Sequence, residues 1–140
     1  MESNILQVAR YSEERAHGRT IPIVGASDAH GCERGTLFGW YYTVLFARAP
    51  ELGDIIGAVK DCRAVAVEAL PGQTPRAHGP FRLVKYAQFL LREFFPLHDA
   101  LCKREGELML AHIAGDAGAA GQLQKLKGQT ATLMAHAWGT

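Results

Sequence analysis

Residues 21–30 read Ile-Pro-Ile-Val-Gly-Ala-Ser-Asp-Ala-His. A short apolar run ends in small residues and then presents an acid and an imidazole two positions apart. Ile21, Ile23 and Val24 carry the signature of a buried strand, bounded by Arg19-Thr20 before it and Gly25 after it. In sheets with parallel strands, functional groups gather where a strand ends and its loop begins. Asp28 and His30 occupy that position. In extended backbone, side-chain direction repeats every two residues, so the pair is expected to share one side of the chain. A carboxylate oxygen and an imidazole nitrogen so placed suit a divalent transition metal, with zinc, manganese and iron all compatible. The alternative is structural: Asp28 caps the following turn and His30 is a hydrogen-bonded loop residue.

Strand, loop, strand, helix, strand is the order expected from residue 21 onward. Trp40 to Ala47 is rich in aromatic and β-branched residues and predicts a second strand. Pro50 opens a helix over about 51–61, with Glu51 and Asp54 near its positive end. Arg63 to Ala69 predicts a third strand in which Ala64, Ala66 and Glu68 alternate with Val65 and Val67. Upstream, residues 4–17 predict a helix with Ile5, Val8, Ala9 and Ser12 on one face, ended by Gly18.

Ile21 to Gly31, IPIVGASDAHG, resembles the last metal-binding motif of the PHP (polymerase and histidinol phosphatase) family of phosphoesterases. Supporting segments are Gly39, Tyr42-Thr43-Val44, Glu51 to Lys60 (ELGDIIGAVK) and Arg63 to Glu68 (RAVAVE), and Glu2-Ser3-Asn4 is similar to the stretch before the motif. The likeness spans about residues 4–72. It implies the C-terminal part of a βα barrel, α/β in class and α+β as an isolated chain. It also implies Asp28 and His30 as ligands of a divalent metal cluster acting on a phosphorylated small molecule. In that family an HxH pair and further ligands lie upstream. No HxH occurs here, the histidines being His17, His30, His78, His98, His112 and His136. Only Asp28 and His30 carry over, so the chain is expected to be a phosphoesterase fragment inactive alone. The rest of the site would come from a missing N-terminal region or another copy in a homo-oligomer. The competing expectation is a non-catalytic α+β module that assembles or binds a partner, with SDAH kept as a structural turn.

The expected organisation is a PHP-like segment (1–72), a Pro/Gly-rich linker (73–80) and a helical segment (81–140) that packs on it or forms an oligomer interface. In the helical part Leu83, Val84, Ala87, Leu90, Leu91 and Phe94 form one apolar set, and Pro96 is expected to break the helix. A second helix, about 97–113, turns Leu101, Leu108 and Met109 inward. Gly115 to Gly121 reads as a joint, and a last helix runs over about 122–138 with Leu123, Leu126, Leu133 and Ala137 on one stripe.

Of 140 residues, 48% are apolar and 21% charged, the profile of a globular domain, and the net charge of +1 gives no electrostatic case for nucleic acid. No stretch approaches the roughly 20 apolar residues of a membrane span. Cys32, Cys62 and Cys102 are widely spaced with no CxxC, as expected in a reducing cytoplasm. Arg34, in the loop after the motif, is the first candidate for contacting substrate phosphate, and Arg76 with His78 is a second. Cys32 is a third ligand candidate by spacing, and Glu33 a nearby acid. Glu68 is read as a salt-bridge residue at a strand end. His98-Asp99 reads as a capping turn, and His112 and His136 as packing or surface residues.

Overall fold

The computed structural model describes residues 2–30, 37 and 39–139, and it divides into two compact units, 1–88 and 89–140. The first unit is α+β. Helix α1 (Glu2–Ala16) leads into an extended segment, residues 21–27, that belongs to no helix or ladder. Strand β1 (Tyr41–Leu45), helix α2 (Leu52–Lys60), strand β2 (Ala64–Glu68), strand β3 (Arg76–His78) and the start of helix α3 (Phe81–Phe89) follow.

The end of α1 is built as its sequence predicts. Gly18 has φ +78°, the Gly18 N–H donates to the Arg15 carbonyl, and the Arg19 N–H reaches back to the Glu14 carbonyl. This is a Schellman closure, which glycine enters without steric cost. The inward face of α1 differs from expectation. Ala9 and Ser12 are exposed, whereas Val8 and Tyr11 turn partly inward and Glu14 is buried. A carboxylate tolerates that position only when its charge is met. Arg10 and Arg19 both pair with Glu14, one oxygen each.

Helix α2 closes in the same way, but with Cys62 at φ +56° in the place glycine usually takes. Cys62 N–H donates to Val59 O and Arg63 N–H to Ala58 O, so the turn is satisfied despite the strained residue. Cys62 is a free, buried thiol.

Among the described residues the sheet has three strands in the order β1-β2-β3, both neighbours antiparallel. A βα barrel has parallel strands, so this sheet is not an arc of one. Central β2 is buried on both faces, with Ala64, Val65, Ala66 and Val67 all in the core. Its register sets Tyr41 opposite Glu68, and Glu68 opposite Arg76. The next row on the same face is Thr43, Ala66 and His78. Ile21 to Val24, expected as a core strand, is extended but joins no ladder, and its exposure alternates along residues 21–30. Arg76 to His78, expected within a linker, is the third strand. Backbone pairing with β2 satisfies donors that a solvated linker would leave to water.

In the second unit, Pro96 does not stop the helix. A π-helical turn, Leu90–Phe94, precedes helix α4 (Phe95–Ile113), and the Phe95 N–H bonds the carbonyl of Leu90 five residues back. Widening the turn just ahead of Pro96 accommodates the missing donor and the ring. Leu90, Phe94 and Leu108 are buried as expected, but Met109 is exposed. The Gly/Ala joint is real at Gly115, which is left-handed at φ +94°. The single last helix is instead two, α5 (Ala119–Leu126) and α6 (Gln129–Trp138), separated by left-handed Gly128. Phe94 stacks with His98 at 5.6 Å and meets Trp138 at 5.5 Å between ring centroids.

No helix among the described residues is long and apolar enough to cross a membrane.

Candidate functional site

The motif segment is seated on β1 through one residue on each side. The Gly25 N–H donates to the Thr43 hydroxyl at 2.9 Å, and that hydroxyl donates to the Gly25 carbonyl at 2.9 Å. One side chain thus holds both backbone groups of Gly25. The approach is close enough that a β-carbon on Gly25 would lie 2.4 Å from the Tyr42 carbonyl oxygen, so no other residue fits. Thr43, fourth in the WYYTVL run, is the partner that sequence reading did not assign.

Beyond Gly25 the chain turns. The Ala29 N–H donates to Ser27 Oγ at 3.3 Å, and Asp28 takes φ +54°. An acid or amide tolerates this left-handed conformation better than most residues. The turn ends the extended geometry at Asp28, so the two-residue repeat does not set the directions of Asp28 and His30. Both are exposed. Among the described residues no group of three or more His, Cys, Asp or Glu side chains could hold a metal. Arg34, Cys32 and Glu33 lie outside the described residues.

The other candidates separate. Glu68 is half-buried and accepts from Arg76 and from the Tyr41 hydroxyl, each at 3.4 Å, which agrees with its salt-bridge reading. Arg76 and His78 stand two apart on β3 and share a face of the sheet with Glu68. His98 lies within the first turns of α4 rather than capping it. Its Nδ1 is 3.1 Å from Asp99, and its Nε2 is 3.7 Å from the Cys102 sulfur. His112 and His136 are exposed on their helices.

A cleft of about 520 Å³ opens on the face carrying Tyr41, Ala66, Glu68, Arg76 and His78. Val8 and Tyr11 of α1 and residues 21–26 form its opposite wall. Burial raises the Tyr11 phenol above its ordinary 10.0, with Arg15 opposing the rise and Cys62 adding to it. The folded chain therefore holds this proton more tightly than the unfolded chain does. Its contribution to stability is fully present below the ordinary phenol value and is lost as pH rises through the folded one. Urea midpoints are expected to fall as pH rises above about 10, and less steeply in Tyr11→Phe. Parallel curves for the two proteins would exclude this linkage.

No family model, no curated protein and no solved structure matches this chain.

Proposed function

We propose that this chain is a fragment of a PHP-like metal-dependent phosphoesterase that retains the family's last metal-binding motif on residues 21–30. In this reading Asp28 and His30 are two ligands of a divalent metal, zinc, manganese or iron, and Arg34 contacts a phosphorylated small molecule. The observation that carries it is the IPIVGASDAHG run, whose strand-like part is clamped by Thr43 and whose Asp28 and His30 project free on an exposed turn. The donor types suit such a metal, but two ligands fall short of the three or four a protein site supplies. No catalytic step is therefore assigned to this chain alone. Further ligands would come from a second copy or from another segment of the protein. Leu110 and Ile113, exposed on α4 at 69% and 80%, support a homo-oligomer.

A second reading is favoured by the turn itself. Ser27 satisfies the Ala29 amide, and Asp28 adopts the left-handed conformation, so SDAH also works as a structural turn of a non-catalytic, partner-binding α+β module.

Elemental analysis of the purified chain, beside Asp28→Ala/His30→Ala, separates the two. Near-stoichiometric metal in the parent and at least a ~10-fold loss in the variant is expected for the metal reading. Absence of metal from both after growth and dialysis with zinc, manganese or iron would leave the turn reading.

A further inference from the structure

We infer that the cleft between α1, residues 21–26 and the sheet is a binding site for a small molecule with an apolar body and an oxyanion head, a carboxylate or a phosphate. The inference stands apart from the metal reading, since none of its residues is a proposed ligand. Its size falls within the range of small-ligand pockets, and its walls divide by chemistry. Val8, Tyr11, Ile21 and Ile23 line one side. On the other, antiparallel register brings Tyr41, Glu68 and Arg76 into one row across three strands, with His78 in the next. Between them stands Ala66, whose small side chain leaves the space open.

The cations of the cleft are not equivalent. Arg10 is committed, its two terminal nitrogens paired with Glu13 and Glu14. Among the described residues Arg76 is held only by long contacts, 3.4 Å to Glu68 and 3.5 Å to Gln73, and it is largely exposed. A guanidinium presents a planar fork of donors matched to two oxygens of a carboxylate or phosphate. An incoming oxyanion can take that fork without breaking a strong bond. His78, two residues along the strand, lines the same end of the cleft. The Glu68 carboxylate beside them disfavours a second anionic group and favours a hydroxyl or amine donor there. The apolar wall then takes the body of the ligand.

The test uses isotope-labelled chain in EDTA, so that it is independent of any metal, titrated with 1-naphthyl phosphate, 1-naphthoate and neutral 1-naphthalenemethanol. Saturable amide shifts confined to Ala66, Glu68, Ala77, His78, Ile21 and residues 23–26 are expected with at least one anion. Arg76→Gln should weaken that binding by about 10-fold or more, the worth of a charge-assisted hydrogen bond, while leaving the neutral probe unchanged. Ala66→Leu should abolish binding of all three by filling the cleft. Binding of the phosphate alone, or of the carboxylate alone, assigns the head group. The inference is overturned if no probe saturates, if the neutral probe binds as tightly as both anions, or if Arg76→Gln has no effect. Shifts at these amides that follow protein concentration rather than probe would also overturn it, making the cleft a contact between copies.

Discussion

Gly25→Ala is expected to destabilise the first unit by about 2–4 kcal/mol, the cost of overpacking plus the loss of hydrogen bonds at the same place. The added β-carbon would sit 2.4 Å from the Tyr42 carbonyl oxygen and 3.0 Å from its carbon. These are backbone atoms of the β1 strand, which itself pairs with β2, so neither side can give way locally. The segment must lift, and lifting breaks both bonds between Gly25 and Thr43 Oγ1. Thr43→Val removes the same clamp without adding bulk and should cost about 1–2 kcal/mol. Because both substitutions undo one seat, their effects should not add. The double variant should fall short of the sum by about 1 kcal/mol. Urea denaturation of the four proteins measures this. A Gly25→Ala midpoint equal to that of the parent would mean that residues 21–26 do not rest on β1 as described, and the cleft they wall would then be in doubt as well.

Val65→Asp is expected to unfold the first unit. Val65 is fully buried on the central strand, with Ala64 and Ala66 buried on the opposite face. A carboxylate there has no cationic partner on the strand and cannot reach water without breaking the ladder on both sides. The cost of an unpaired buried charge, about 3–5 kcal/mol, approaches the total stability of a small domain. Val65→Ala, which only leaves a cavity, should cost about 2 kcal/mol and keep the fold. Circular dichroism reads the difference. In Val65→Asp the near-ultraviolet signal of Tyr41, Tyr42 and Trp40 should collapse, while much of the helical signal from α4, α5 and α6 persists. Loss of the whole helical signal would show that the two units unfold as one.

Where an element depends on its own residues, the sequence was a reliable guide. Gly18 ends α1, Asp54 stands in the first turn of α2, and the Ala-Val alternation of residues 64–67 makes a strand. Local strain at Pro96 was also visible, but not its resolution. A proline excludes the ordinary helical bond, and the chain can respond by stopping or by widening a turn. The π-helical turn at residues 90–94 is the second response. In the same way Gly128 marks a left-handed break that helical periodicity across residues 122–138 concealed, because Leu123, Leu126 and Leu133 keep the same spacing in two helices as in one.

The motif region divides along the same line. That residues 21–27 would be extended and end in small residues, with an acid and a histidine following, was decided by the sequence alone, through short-range sterics. The tertiary structure decided what the extended run touches. It rests on Thr43 without joining a ladder, and it turns at Asp28 before His30 is reached. The cleft was decided there too. Tyr41, Glu68 and Arg76 are 27 and 8 residues apart along the chain, as Tyr41–Glu68 and Glu68–Arg76 respectively, and only strand register places them in one row. Backbone pairing between distant segments has no local signature, so a polar row assembled by it is invisible until the strands are aligned.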